Sequence, residues 1–446
     1  MAANDLFGGL FVPEGLRAAV SGDAWVKGML DFEAALARAG ASAGLVPADA
    51  AEAIGAAASQ VERFDPAELG LEGRNAGNPA VPLVRALTAA VEGEAAGHVH
   101  RGATSQDVID TAATLVARRG AGLIDEELAA VAARLAALAD EHRGSVMAGR
   151  TLLQQALPTT FGLKAAGWLV AVLDARGRLA AVPFAVQLGG ADGTLASLGD
   201  AGPRVLAALA AELGLDEPTV PWHTDRGRVG QLGSVLALAA GTLEKVAQDI
   251  VLLAQTEVGE VAEASGGGRG GSSTLPHKRN PVGSVLAIAC ARRARGEASI
   301  LLGAMAQEHE RAAGAWQAEW EAVSGALAYT GGAAASLSEA LDGLEVYTER
   351  MRENLDSTGG LIMAEAVATA LTEGGMGRAE AHDLVRAVSV RAAEGGRTLG
   401  DELRDDAQVS SLLSSEQIDQ ALDPAAYLGA AGAFVDRALA RFEEER

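Results

Sequence analysis

The residues best suited to chemistry lie in one glycine-rich stretch, Gly266–Pro281. Five glycines precede Ser272 and Ser273, and backbone amides in such a loop can approach a ligand closely. Lys278 and Asn280 follow, and they supply a cation and an amide donor. A flexible loop with helix-capping serines is the alternative interpretation, but neither Lys278 nor Asn280 has a capping role. The stretch therefore favours a site for an anionic ligand.

A second polar stretch, His100–Thr111, precedes a predicted helix. Thr104 or Ser105 is suited to cap the N-terminus of that helix. The same hydroxyls and amides also suit a carboxylate, because a helix N-terminus favours anions. The two interpretations, a cap and a carboxylate site, stay open here.

A third stretch, Gly149–Pro158, places Gln154 and Gln155 in an otherwise apolar segment. We expect this segment to begin a helix. A buried, hydrogen-bonded amide is one interpretation of the two glutamines, and a ligand contact is the other.

Helical periodicity dominates the elements that must position these stretches. Apolar residues recur every three or four positions in Gly122–Asp140, and helices are also predicted over Trp25–Ala39 and Pro47–Ala58. From Leu232 to Ala262 two apolar rows repeat every seven residues, which predicts one helix of about 30 residues, roughly 45 Å long. That seam holds more apolar surface than one chain of this size needs, so it predicts association between chains.

Composition narrows the class of protein. The chain has 446 residues, 49% hydrophobic and only 4% aromatic, which favours two to four packed units and an all-α fold. A formal net charge of −23 disfavours nucleic acid and anionic membranes as partners. The single cysteine, Cys290, excludes disulfide scaffolds and cysteine-based zinc sites. With no signal-peptide pattern and no long apolar run, we expect a soluble, cytoplasmic protein.

The segment Gly271–Pro281 resembles the signature of the fumarase/aspartase superfamily. This resemblance implies a homotetramer that pools long central helices into one bundle, and active sites shared between subunits. It also implies three helical domains, which we place at residues 1–102, 103–344 and 345–446.

Other stretches resemble one branch of that superfamily, the bacterial 3-carboxy-cis,cis-muconate cycloisomerases; they include Gly77–Val84, Thr160–Trp168, Gly189–Leu198, Pro221–Thr224, Gln307–Arg311 and Thr358–Ile362. The resemblance covers nearly the whole chain and weakens over the last 60 or so residues. It implies lactone formation from a small polycarboxylate in aromatic catabolism, with no cofactor and no metal.

The resemblance also implies roles for single residues. Ser272 matches the catalytic serine, while Lys278 and Asn280 match residues that hold the carboxylate as it gains negative charge. Matching substrate contacts are Asn78, His100, Thr104, Ser105, Gln154, Ser273 and His277. Arg150 and Arg311 are either additional carboxylate clamps or structural ion pairs, and the sequence leaves this choice open.

Two positions depart from the superfamily pattern. Relatives that expel an amine or hydroxide have a His–Glu pair where this chain has Leu152 and Val285. Such leaving groups need a second acid, whereas a carboxylate or another weakly basic anion such as nitrite does not. Nitrite elimination from a succinate-like acid is therefore the alternative activity. An adenylosuccinate-type lyase and a non-catalytic structural protein are less favoured alternatives.

Overall fold

The protein is built almost entirely of helices, as its composition predicts. The computed structural model describes residues 5–264, 275 and 278–446. In chain order the helices are α1 (Asp5–Phe11), α2 (Glu14–Ala19), α3 (Gly22–Ser42), α4 (Ala48–Ala58), α5 (Pro66–Gly73), α6 (Ala80–Ala90), α7 (Ser105–Glu141), α8 (Phe161–Ala180), α9 (Gly202–Leu213), α10 (Gly227–Leu253), α11 (Val282–Gly303), α12 (Ala315–Leu341), α13 (Thr348–Asp356), α14 (Ala364–Glu373), α15 (Arg378–Gly395), α16 (Leu399–Asp405), α17 (Ala407–Leu412), α18 (Ser415–Ala421) and α19 (Ala431–Glu444). None of the helices in these ranges combines the length and the apolarity that crossing a membrane requires.

The chain divides into two compact units. The first comprises Met1–Ala129, Asp174–Lys245 and Leu286–Leu337, and the second comprises Ala130–Leu173, Val246–Val285 and Ser338–Arg446. These units are defined by contacts in space, whereas our division into three domains follows the family resemblance. That division remains a prediction.

Each unit has its own buried apolar cluster. In the first unit Leu30 and Phe32 of α3 are buried with Ile54 of α4, so both predicted N-terminal helices are confirmed. In the second unit Val367 of α14 and Val388 of α15 belong to a separate cluster.

The long predicted helices are present, but α10 ends earlier than expected. It stops at Leu253 rather than continuing to Ala262. Gly259 has φ +63°, and the N–H of Glu260 donates to the carbonyl of Leu253 at 2.9 Å. This turn reverses the chain and leads into the short strand β3 (Val261–Ala262).

The seven-residue seam of α10 does not provide the surplus apolar surface that we expected. Leu236, Leu243 and Ile250 are fully buried within the single chain, as is the neighbouring row. The argument for association from this seam is therefore wrong. Exposed apolar side chains lie elsewhere, and they include Leu238 of α10 and Ile300 and Leu302 of α11.

The segment around Gln154 is a β-hairpin and not the start of a helix. Strands β1 (Val146–Thr151) and β2 (Gln154–Thr160) pair antiparallel, with Thr151 opposite Gln154. Leu152 and Leu153 form the turn with φ values of +50° and +64°, as required by the two-residue turns that match strand twist. Helical periodicity is not visible in so short a segment, and Pro158 disfavours a helix interior. The second small sheet pairs β3 with β4 (Glu345–Val346).

A buried group of charges ties three helices together in the first unit. The guanidinium of Arg226, just before α10, donates to both carboxylate oxygens of Asp110 on α7, at 2.7 and 3.0 Å. Its Nε also donates to Glu319 on α12 at 3.0 Å. All three side chains are almost completely buried. The indole of Trp316 and the amide of Gln307 donate to the same two carboxylates.

We expect Arg226→Met to lower the thermal unfolding midpoint by at least about 5 °C. Removing the guanidinium leaves two buried carboxylates without their cation, and breaking a buried ion pair typically costs about 3–5 kcal/mol. The matched control is Arg292→Met, because Arg292 is 67% exposed in its ion pair with Glu244. A surface pair contributes about 0–1 kcal/mol, so the control should shift the midpoint little. Equal shifts in a thermal denaturation experiment would contradict the central role of Arg226.

Candidate active site

The N-terminus of α7 presents the first candidate segment. The helix begins at Ser105, so Thr104 occupies the capping position. The capping bond uses the Thr104 backbone, since its N–H donates to the Asp107 carboxylate at 3.0 Å. The hydroxyl-bearing side chains of Thr104 and Ser105 are half-buried. Both hydroxyls are thus placed where α7 concentrates its positive partial charge.

Asp107 is the residue that organises this segment, and sequence reasoning missed it. The side chain is fully buried and accepts four hydrogen bonds, from the backbone N–H groups of Thr104, Gly189 and Gly190 and from the Gln187 amide, at 2.9 to 3.1 Å. Burial raises the pKa of Asp107 to about 6, although these hydrogen bonds act in the opposite direction. An Asp in the first turn of a helix looks like ordinary capping, so the sequence contains no signal for the contacts with residues 187–190.

Arg311 holds the same loop from a second direction. Its guanidinium donates to the carbonyls of Gly190 and Ala191 at 2.7 and 2.9 Å, and to the Gln106 side chain at 2.7 Å. These three partners are not carboxylates, so they do not make Arg311 a structural ion pair, and its role as a carboxylate clamp stays a prediction. Gly190 has φ +68°, and a Cβ there would lie 3.2 Å from the carbonyl of Gly102, so the position requires glycine.

Asn78 and His100 lie in the first unit, and both side chains have partners there. The side-chain Oδ1 of Asn78 accepts the N–H groups of Ala80 and Val81 at the start of α6. The Nδ1 of His100 lies 2.6 Å from the buried carboxylate of Glu33. Burial is the largest single influence on His100 and favours its neutral form, but Glu33 and Asp107 outweigh it, so the pKa of His100 is raised.

Arg150 is engaged by a buried carboxylate in the second unit. Its two terminal nitrogens donate to the two oxygens of Glu260 at 2.9 and 2.6 Å. Asn354 donates to Glu260 as well, at 2.8 Å, and the Gln155 amide donates to the Asn354 carbonyl at 3.0 Å. Arg150 therefore forms an ion pair within the chain, and its role as a carboxylate clamp stays a prediction. Gln154, at the start of β2, is exposed.

The structure describes only part of the glycine-rich stretch. Ser272, Ser273 and His277 lie outside the described residues. Lys278 is exposed and Asn280 is half-buried.

Arg279, between Lys278 and Asn280, anchors the end of this stretch at two points. It donates to both carboxylate oxygens of Glu345 at 2.9 and 2.6 Å, and to the backbone carbonyl of Glu263 at 2.7 Å. The hydrogen bonds that Glu345 accepts from Arg279 and Tyr347 lower its pKa to about 2. The Glu263 carboxylate accepts the N–H groups of Gly283 and Ser284 and so caps α11.

The two aliphatic departures are both exposed in the single chain. Leu152 at the hairpin turn is 97% exposed, and Val285 on α11 is 50% exposed. Among the residues that the structure describes, no three His, Cys, Asp or Glu side chains group as metal ligands would.

The family described as "Lyase" matches residues 15–296, and "Adenylosuccinate lyase C-terminus" matches residues 360–438, so the chain belongs to this lyase family.

A 3-carboxy-cis,cis-muconate cycloisomerase from Pseudomonas aeruginosa is 49% identical over 98% of this chain and 96% of its own length. A nitrosuccinate lyase from Streptomyces davaonensis is 47% identical over 95% of this chain and 92% of its own length. The crystal structure of a 3-carboxy-cis,cis-muconate lactonizing enzyme from Pseudomonas putida superposes with a TM-score of 0.94 at 45% identity, covering 99% of this chain and all of the other. The family resemblance seen in the sequence is confirmed.

We expect Asp107→Asn to destabilise the fold by about 2–4 kcal/mol, because in either orientation the new NH₂ group would face two N–H donors. The matched control is Asp192→Asn, since Asp192 is exposed on the loop that Asp107 holds. Thermal unfolding of both variants checks the prediction. A midpoint for Asp107→Asn as high as that of the control would mean that the four hydrogen bonds contribute little.

Proposed function

We propose that the protein is a cycloisomerase that converts 3-carboxy-cis,cis-muconate to 4-carboxymuconolactone. The observation that carries this proposal is the 49% identity to the Pseudomonas aeruginosa cycloisomerase over nearly the whole of both chains. The aliphatic side chains of Leu152 and Val285 support it, since the reaction expels no strongly basic group. Its setting would be the protocatechuate branch of aromatic catabolism, in the cytoplasm.

The reaction is intramolecular. One substrate carboxylate adds to a carbon–carbon double bond, which forms the C–O bond of the lactone. The electron pair moves to the carbon beside another carboxyl group, and that carbon then receives a proton. The costly species is the dianion formed before protonation. Because the step forms one C–O bond and moves one proton, side chains and amides are sufficient for it.

Lys278 and Asn280 are the residues that we assign to the dianion. A cation and an amide donor directed at its oxygens supply electrostatic stabilisation, about 3 kcal/mol for each well-placed donor. The anchoring of Arg279 between them restricts the backbone that carries both side chains. Ser272 donates the proton, an assignment that rests on the family resemblance alone.

The remaining carboxylates of the substrate suit the N-terminus of α7. Thr104 and Ser105 offer their hydroxyls there, and His100 adds positive charge. Gln154 on its exposed strand is a further donor. Ser273 and His277 stay proposed contacts on the resemblance, as does Asn78.

The decisive assay follows the loss of ultraviolet absorbance of 3-carboxy-cis,cis-muconate. We expect turnover by the wild-type protein, and a loss of more than tenfold, over 1.4 kcal/mol, in Ser272→Ala. Ser415→Ala is the matched control, because Ser415 is exposed at the start of α18. Wild-type protein without turnover would refute the proposed function, and an active Ser272→Ala variant would refute the role of the serine.

Nitrite elimination is the second candidate activity. The 47% identity to the nitrosuccinate lyase favours it, and the absence of the His–Glu pair fits nitrite as a weakly basic leaving group. In this reaction a base takes a proton from the carbon next to the C–N bond, nitrite leaves and a double bond forms. Side-by-side kcat/KM values for nitrosuccinate and carboxymuconate discriminate the two activities. For either, we expect no hydration of fumarate, no ammonia addition and no cleavage of adenylosuccinate.

We also propose a homotetramer whose active sites take residues from more than one subunit. Support comes from the family resemblance and from apolar side chains that a single chain leaves exposed, such as Leu153, Leu238 and Ile300.

Subunit mixing tests shared sites. Ser272→Ala chains and chains carrying both Thr104→Ala and Ser105→Ala should each be inactive, yet regain part of the activity after they exchange subunits. Each variant put through the same exchange alone is the control. Light scattering that reports a monomer, or no recovery in demonstrably mixed tetramers, would contradict the proposal.

A further inference from the structure

Glu33 is a buried carboxylate to which neither the sequence patterns nor the proposed reaction gives a role. It lies on α3, and its side chain is completely buried. One oxygen, Oε1, is 2.6 Å from the Nδ1 of His100, while Oε2 is buried without a hydrogen-bond partner in the part of the chain that the structure describes. Burying an ionised carboxylate is costly unless a cation or several donors compensate it. His100 is the group placed to provide that compensation.

His100 reaches Glu33 from an unusual backbone conformation. Its φ is +59°, in the left-handed region that a residue with a Cβ rarely adopts. The surrounding fold must therefore hold it there, and the hydrogen bond to Glu33 spans 67 residues of sequence. The imidazole remains 21% exposed, so it is not a sealed core residue.

The charges around the imidazole are mainly acidic. Glu33 faces it from α3 and Asp107 acts on it from α7, while the neighbouring Arg101 contacts His98 at 3.3 Å. Burial alone favours the neutral ring, and the two carboxylates outweigh that effect. The cationic form of His100 therefore persists to a higher pH than that of an ordinary histidine.

We propose that Glu33 is a positioning residue, which fixes the His100 ring with Nδ1 as a donor and keeps it cationic so that it binds a substrate carboxylate beside Thr104 and Ser105. This inference rests on the proposed function, because a carboxylate substrate is what the cation would bind. Glu33 itself does not touch the substrate. A purely structural Glu33 would affect stability and the titration of His100, but not the pH dependence of KM.

The first test measures the titration of His100 directly in the intact protein. The rate of hydrogen–deuterium exchange at the imidazole C2 position, followed by mass spectrometry against pH, gives a midpoint for each histidine. We expect the His100 midpoint above about 6.5 in the wild type and below that of the wild type in Glu33→Gln, whose neutral amide can still accept the Nδ1–H. His382, in the other unit, is the internal reference and should not change between the two proteins.

Asp31→Asn is the matched control for the charge removed. Asp31 lies on the same helix, pairs with Lys27 and is 45% exposed. It should leave the His100 midpoint unchanged. A wild-type midpoint at or below about 6.5 would overturn the proposal even if Glu33→Gln failed to fold. An identical midpoint in wild type and Glu33→Gln would overturn it as well.

The second test is kinetic. As pH rises through the pKa of His100 the cation is lost, so KM should rise in the wild type, and in Glu33→Gln the rise should begin at lower pH. At pH 7.5 we expect KM for carboxymuconate to increase about tenfold with kcat much less affected. Glu33→Gln should have almost no further effect in a His100→Asn background, whereas additive losses would overturn the proposal. If the wild type does not turn over carboxymuconate, the proposed function fails, but the exchange measurement still decides whether Glu33 controls His100.

Discussion

The buried guanidinium of Arg226 is the interaction on which the candidate site depends. It joins α7, the start of α10 and α12 through two carboxylates, Asp110 and Glu319, and no other cation is bonded to either in the described structure. A charge buried this deeply tolerates little displacement of its partners, because each lost hydrogen bond leaves an ionised group without solvent. The register of the three helices is thereby fixed one turn beyond Thr104 and Ser105.

Buried acids also support three of the candidate segments directly, although the proposed ligand is itself an anion. Asp107 holds the start of α7, Glu33 holds His100, and Glu260 holds the hairpin through Arg150. Each acid has N–H donors or a cation beside it within the protein. These partners compensate its negative charge, so that it repels an anionic ligand less. Acids in these positions order the backbone while the hydroxyls, amides and Lys278 remain for binding.

The sequence predicted the helical class, the helices that contain clear apolar periodicity, the family and the polar segments. It was wrong about the start of β2, where a short segment shows no period and the turn residues Leu152 and Leu153 are poor turn formers. It also left Arg150 and Arg311 undecided, and it missed Glu33 and Asp107. Their partners lie up to 205 residues away along the chain, so only the folded structure reveals them.

At the hairpin turn, the identity of the side chain matters little for folding. Leu152 and Leu153 adopt left-handed conformations that asparagine or glycine would accept with less strain, and both are largely exposed, so this chain gains little stability from either side chain. Substitution at position 152 is therefore nearly neutral for the fold of the isolated chain. A lineage can exchange the side chain at this turn without having to rebuild the scaffold, whereas a His–Glu pair would require a second exchange at Val285.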